Sequence, residues 1–196
     1  MYLCQRIYKG QVTGILSPVI EFIRLKNVSR YISGKKILDC GCGSSKILNF
    51  LDTDCFYTGI DSISKIIIKN KASHPHHDFL CLNLENDSFS TLGKFDSIIL
   101  SAVIEHLSNP EALLRKLYVH SHNNTILIIT TPNPKFSLLI KMGIKLGLLS
   151  REAHFEHKKL YKKEEIRELL KKSKFKIKKY YKFLLRANQM CVAYPD

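Results

Sequence analysis

The residues with the most chemical content come early: Asp39-Cys40-Gly41-Cys42-Gly43, a carboxylate two positions ahead of a pair of glycines. Glycines at this spacing let the backbone turn sharply and approach a ligand, and a helix start behind them offers free N–H groups. Asp61 follows at the end of the next apolar run, where a carboxylate can accept hydrogen bonds from both hydroxyls of a ribose. Two phosphate-binding patterns fit poorly. A dinucleotide fingerprint needs glycine at position 46, which is Lys46, and no P-loop lysine motif is present. Asp39 would repel a diphosphate and attract an ammonium or a sulfonium. The chemistry that fits is an adenosine ligand carrying positive charge. The bland alternative is that Asp39 caps its own loop and Asp61 caps the next helix.

Further along, Glu105-His106 are candidate catalytic residues. A hydroxyl nucleophile needs a base to take its proton, whereas an unprotonated amine or a thiolate does not. His106 is the better base because imidazole titrates near neutrality; the alternative is a histidine that packs at a helix start without acid-base work. His154, His157 and Tyr161 precede an amphipathic helix and are candidate acceptor-side residues, although Tyr161 is equally suited to staple that helix to the core. His74, His76 and His77 flank Pro75 in a polar connection and read as a solvated loop rather than a metal site. No metal is expected. Six cysteines (Cys4, Cys40, Cys42, Cys55, Cys81 and Cys191) lack a repeated short spacing and read as small buried hydrophobes of a reducing compartment.

The elements that must position these residues alternate between two periods. A helix is expected over 17–32, then a strand at 35–39, the glycine turn and a helix at 45–51. A second strand at 55–60 ends on Asp61 and feeds a helix starting near Ser62 or Ser64. Strands follow at 78–82, 95–100 and 125–131, with a helix at 110–120 capped by Asn109. This is an α/β domain with a parallel sheet buried on both faces. The last third departs from that rhythm: an amphipathic helix at 163–172 precedes two strands, 175–183 and 189–194, that can close the sheet as an antiparallel hairpin.

The stretches ILDCGCGSS, YTGIDSI, FDSIILSAVIEHLSNPEALLRKL and ILIITTPNP, in that order, resemble the motifs of the class I S-adenosylmethionine-dependent methyltransferases. The resemblance covers residues 20–194 and implies a Rossmann-like, seven-stranded, mostly parallel sheet with helices on both faces and a C-terminal antiparallel hairpin. It implies S-adenosylmethionine as cofactor, S-adenosylhomocysteine as product, and one domain over 1–196. Within it, 1–33 would be an N-terminal helical cap and 134–160 a lid or acceptor segment. Asp39, Gly41, Cys42 and Gly43 would hold the methionine moiety, Asp61 with Ser62 the ribose, Asn83 and Leu84 the adenine edge, and Ser101 and Val103 the sulfonium end. Ser45 stands where many members have a third glycine, and Asn83 where an aspartate is common, so the adenine contact would run through the Asn83 side-chain carbonyl. Some ubiquinone-type relatives hold a metal around IEH; the first carboxylate of that pattern would fall at Ala102.

The chain has 196 residues and a formal net charge of +14, and twelve of its 31 Lys and Arg lie between Lys158 and Lys182 against three Glu. This local excess is expected to be largely a solvated outer face, with a residual bias toward an anionic acceptor or surface. The expected partner is a small-molecule, lipid-linked or glycan acceptor methylated on oxygen. An RNA methyltransferase using the basic face is the rival, although the place of the base-methylating N/D-P-P-Y/F segment reads SAVIEH; a non-catalytic scaffold is the weaker third option. The apolar segment 136–149 is expected to form a lid over an apolar acceptor, a dimer contact or a peripheral membrane patch. It is too short and too charged to span a bilayer, and no secretory signal is evident, so the expected location is the cytoplasm.

Overall fold

The computed structural model describes residues 16–136 and 158–196. Seven strands form one sheet: β1 (Lys36–Cys40), β2 (Phe56–Asp61), β3 (Asp78–Cys81), β4 (Phe95–Ser101), β5 (Ser121–Pro132), β6 (Phe175–Phe183) and β7 (Asn188–Pro195), in the order β3-β2-β1-β4-β5-β7-β6. β1 to β5 pair in parallel, and β7 pairs antiparallel with both β5 and β6. The expected Rossmann-like sheet with its terminal hairpin is therefore present. The reversal of order between β1 and β4 puts the carboxyl ends of β1, β2 and β4 side by side, the place where open α/β sheets bind ligands.

Alternate side chains of each strand feed opposite cores. Leu38, Ile98 and Leu127 face one cluster, with Leu113, Leu114 and Leu117 of α3 (Pro110–Val119) and Ile166 and Leu170 of a helix at Lys163–Lys172, labelled α4. Ile37, Ile99 and Ile128 face the other, with Leu25 and Val28 of α1 (Ser17–Ser29) and Ile67 of α2 (Ser64–Ser73). Both sheet faces are covered, as a parallel sheet requires.

The boundaries differ from expectation in ways the local contacts explain. α1 ends at Ser29 rather than 32 because the Ser33 N–H donates to Ser97 Oγ at 2.8 Å and draws the chain into the sheet. The segment after the glycine turn is not an α-helix but a short 3-10 helix, Lys46–Phe50. Ser45 before it is left-handed (φ 52°), and Asp52, Thr53 and Asp54 follow within one turn, so propagation has no length to develop. β5 starts at Ser121 rather than 125, since Ser121 already pairs with Phe95 across an irregularity in register. The expected helices at 110–120 and 163–172 and the hairpin are found, and Asn109 Oδ1 accepts the Ala112 N–H at 3.1 Å as the α3 cap. Leu184, Leu185 and Arg186 in the β6–β7 turn all have positive φ; Asn133 fastens this turn, its N–H donating to Ala187 O and its Nδ2 to Arg186 O, both at 2.8 Å. The segment 137–157, which includes most of the expected lid together with His154 and His157, lies outside the described residues, as does the start of the expected N-terminal cap.

Candidate active site

The glycine turn is fixed to β2 before any ligand is considered. The N–H groups of Gly41 and Cys42 both donate to Ile60 O, at 2.7 and 2.9 Å, and the Gly43 N–H donates to Asp61 Oδ2 at 3.0 Å. The other Asp61 oxygen accepts the Ile63 N–H at 2.9 Å. One carboxylate thus joins the glycine loop to the start of α2, so the capping role expected as an alternative is filled. Asp61 remains half-buried at the strand end.

The two glycines do different work. Gly41 has φ +77°, and a Cβ there would lie 2.7 Å from Val103 Cγ2, so its close approach is to the chain after β4. Gly43 has φ +50° and nothing within 4 Å of a notional Cβ; it faces open space, as a cradle should. Cys42 is buried at 8% exposure.

Asp39 lies 5% exposed beneath this loop, with the Tyr57 hydroxyl donating to its Oδ2 at 2.8 Å. Burial pushes its carboxyl up to about 7; the Tyr57 hydrogen bond works against the rise and the nearby Asp61 charge adds to it. A cation arriving beside Asp39 would return it to its ionised form. Ser101 and Val103 stand at the end of β4, where Ser101 Oγ is 3.3 Å from Thr130 Oγ1. Ala102 between them has φ 57° and donates its N–H to Thr130 O at 2.9 Å.

Asn83 and Leu84 follow β3, one strand over. Asn83 Oδ1 already accepts the N–H groups of Glu85 and Asn86, at 2.9 and 3.2 Å, so the carbonyl expected to meet an adenine amino group is occupied in a turn. Leu84 is half-buried against the core, and Ser62 is exposed beside Asp61. Tyr161 is 4% exposed and shares a core cluster with Ile166, five residues on, which is the geometry of a helix staple. The His74 and His77 rings are half-buried against Phe79 and Tyr57 rather than solvated.

Glu105 and His106 form a short 3-10 helix just after β4. Glu105 is fully buried, and its main-chain carbonyl accepts the Lys158 and Lys159 N–H groups at 2.8 and 3.2 Å. Neither carboxyl oxygen makes a hydrogen bond of good geometry among the described residues, and the same is true of Arg24 Nε from α1. Burial pushes the Glu105 carboxyl up to about 7, opposed by its own backbone N–H and, less, by the nearby Thr131 hydroxyl and the Arg24 guanidinium. His106 is partly exposed beside it.

The turn built from Asp39, Gly43 and Asp61 lies at the carboxyl ends of adjacent parallel strands, where open α/β sheets bind ligands. A family profile described as a methyltransferase domain matches residues 10–180. The chain belongs to the class I S-adenosylmethionine-dependent methyltransferases. Among curated relatives of this methyltransferase is the ubiquinone biosynthesis O-methyltransferase of Rickettsia prowazekii, 29% identical over 174 residues, spanning 81% of this chain and 66% of that protein. The enzyme of the same description from Rickettsia typhi is 31% identical over 175 residues, 81% of this chain and 68% of its own length. The chain thus spans about two thirds of the length of these relatives. Among solved structures, the plantazolicin methyltransferase BpumL with bound S-adenosylhomocysteine superposes with a TM-score of 0.71 at 18% identity, covering 92% of this chain and 86% of its own. Magnesium protoporphyrin IX methyltransferase from Synechocystis PCC 6803 gives 0.64 at 17% identity, covering 91% and 82%. At such identities these two matches speak to the fold.

S-adenosylmethionine is the methyl donor of this methyltransferase, and the residues present suit it. The donor's amino-acid end carries an ammonium and a carboxylate; the site has a buried carboxyl at Asp39, and after β4 the buried Glu105 carboxyl and the half-buried Arg24, whose Nε is buried, have polar atoms without a partner among the described residues. Arg24, Tyr57 and Asn70 were not singled out from the sequence. Arg24 sits in a helix that reads as an ordinary amphipathic cap, and only an arginine with leucines and isoleucines at helical spacing around it could have drawn notice. No helix among the described residues is long and apolar enough to cross a membrane.

Proposed function

We propose that this methyltransferase acts on an oxygen of a small-molecule acceptor of the quinone-precursor kind, the reaction named for its curated relatives. The observation that carries the reading is the Glu105-His106 step, which follows β4 within two residues of Val103, the residue packed on Gly41 of the cofactor loop. S-adenosylmethionine brings a methyl group on an already activated sulfonium leaving group. The protein's task is then orientation, exclusion of water and removal of one proton.

In this reading Asp39 faces the cationic amino-acid end, Gly43 gives the close approach, and Asp61 accepts from the ribose while holding the loop. Asn83 and Leu84 border the adenine, with Ser101 and Val103 at the sulfonium end. His106 accepts the acceptor's hydroxyl proton. Glu105, fully buried beside Arg24, keeps the floor beneath it polar and dry. An acceptor of lipid-linked or glycan type remains within the same chemistry, since the oxygen is what the base requires.

The test is an acceptor screen by S-adenosylhomocysteine release, run on wild type, Asp61→Ala and His106→Ala, with calorimetry of S-adenosylhomocysteine binding beside it. Asp61→Ala is expected to weaken the cofactor by about 100-fold, as loss of a charged acceptor for several donors implies. His106→Ala is expected to bind it normally and lose turnover on a hydroxyl acceptor. Full turnover on oxygen by His106→Ala at every pH would refute the role of His106; turnover confined to amine acceptors would refute the oxygen assignment.

A further inference from the structure

The cofactor loop has a second support, reached from α2. Ser45 is 1% exposed and left-handed (φ 52°), a conformation that residues with a Cβ avoid, and the loop cannot relax it without moving Gly43. Asn70, 3% exposed on α2, holds it there. Its Nδ2 donates to Ser45 Oγ at 2.9 Å and to Gly43 O at 2.8 Å, with Cys42 Sγ at 3.9 Å. The two hydrogens of one amide nitrogen are matched to two oxygens of the loop. Asparagine is a poor residue for the inside of a helix, so its presence on the buried face of α2 costs something that these bonds offset.

Gly43 is therefore gripped on both sides of its Cα: its N–H by Asp61 and its carbonyl by Asn70. Beyond Ser45 the polar path continues, because the Ser45 hydroxyl also bears on the Tyr57 hydroxyl, and Tyr57 donates to Asp39. The groups facing the Asp39 end are Tyr57, Asp61, Cys40 and Cys42, and the His77 ring meets the edge of the Tyr57 ring at 5.8 Å.

We propose that Asn70 is a positioning residue for the cofactor, acting on Gly43 and Ser45 directly and on Asp39 through Ser45 and Tyr57. This rests on the reading of Asp39 and Asp61 as the cofactor carboxylates. Asn70 takes over the task that a third glycine performs elsewhere: with glycine at 45 the left-handed turn needs no clamp, and with serine it does.

Calorimetry of S-adenosylhomocysteine binding to Asn70→Asp, Asn70→Ala, Ser45→Gly, the Ser45→Gly/Asn70→Ala double variant, Tyr57→Phe and Asp61→Ala tests it, with thermal melts of each. Both Asn70 variants are expected to bind about tenfold more weakly, the ratio a lost ordinary hydrogen bond gives, with kcat at saturating cofactor within about twofold. Ser45→Gly is expected to restore part of the loss in the double variant. Tyr57→Phe should move the pH midpoint of binding upward, since it removes the donor that holds the Asp39 carboxyl down, and Asn70→Ala should move it the same way by less. Unchanged affinity in Asn70→Asp, or a lowered melting temperature with no midpoint shift and no rescue by Ser45→Gly, overturns the proposal. If Asn70→Ala fails to fold, Asn70→Asp and the double variant still decide. Loss in Asp61→Ala with none in Asn70→Asp sinks the role of Asn70 alone, whereas full affinity in Asp61→Ala sinks the underlying site assignment.

Discussion

Replacing Asp39 by Asn should make the unliganded protein more stable at alkaline pH while weakening its hold on cofactor. Burial raises the Asp39 carboxyl from 3.8 to about 7. Between those values the folded state holds a proton that the unfolded state has released, so stability falls as pH rises through that window and is level above it. A rise of about three units corresponds to about 4 kcal/mol, at roughly 1.4 kcal/mol per unit, as an upper bound. Asparagine removes this penalty and still offers an oxygen to the Tyr57 hydroxyl, but it buries an amide NH2, which costs about 1–2 kcal/mol. The expected net gain at pH 8 is about 2 kcal/mol, a melting temperature higher by about 4–8 °C for a chain of this size. Near pH 4.5 most of the penalty is gone in wild type as well, and the difference should vanish or reverse. Thermal melts of both proteins across this range measure it. Calorimetry supplies the complementary sign: affinity for S-adenosylhomocysteine rises with pH up to about 7 in wild type and loses this dependence in Asp39→Asn. A stability difference that is flat with pH, or a variant less stable than wild type at pH 8, refutes the picture of a carboxyl whose burial penalises its ionised form.

Other perturbations have equally definite outcomes. Gly41→Ala combines φ +77° with a Cβ only 2.7 Å from Val103 Cγ2, so denaturant unfolding should show a loss of about 2–4 kcal/mol, of which Val103→Ala recovers only the steric part. His106→Ala should lower kcat on a hydroxyl acceptor by about 100-fold or more, the usual share of a positioned base, and remove the lower limb of the pH–rate profile while calorimetric cofactor affinity stays constant. Glu105→Gln, isosteric and uncharged, should stabilise the unliganded protein as pH rises through about 7, because burial holds this carboxyl up as it does Asp39; its melting temperature against pH reads the sign.

The sheet was legible because short segments such as FDSIIL and TILIIT are rich in β-branched and apolar residues without polar alternation, the pattern of strands buried on both faces. The carboxylates at Asp39 and Asp61 were legible for a related reason: a charge at the end of such a run has few structural uses. The residues that tune them were not. Tyr57 reads as a core aromatic and is one, with 1% exposure, yet its hydroxyl ends on Asp39. Asn70 looks like a polar residue on a solvated helix, since the face it occupies is decided by how α2 lies against the loop. The 3-10 turn at Lys46–Phe50 shows the same limit from the local side: ILNFL has the composition of a helix, and the left-handed residue before it and the aspartates after it decide otherwise.

Much of the positive charge lies on the edge strand and the helix beside it, although Lys158 and Lys159 at the start of the basic stretch donate their N–H groups to the Glu105 carbonyl. Lys176, Lys178, Lys179 and Lys182 are exposed on β6, the outermost strand of the sheet, and Lys162, Arg167, Lys171 and Lys172 on or beside α4 next to it. An edge strand with open N–H and C=O groups invites pairing with another chain, and lysines along it are a common defence. The bulge between Ile177 and Lys179 works in the same direction by breaking the register a second strand would need. Lys179 also lies over the Tyr31 and Tyr181 rings, at 5.1 and 5.8 Å, so its stem covers apolar surface while its charge stays in water. A large share of the excess thus sits on one exposed strand and the helix beside it. The proposed cofactor site lies at the opposite arm of the topology, where the charges are the negative ones of Asp39 and Asp61.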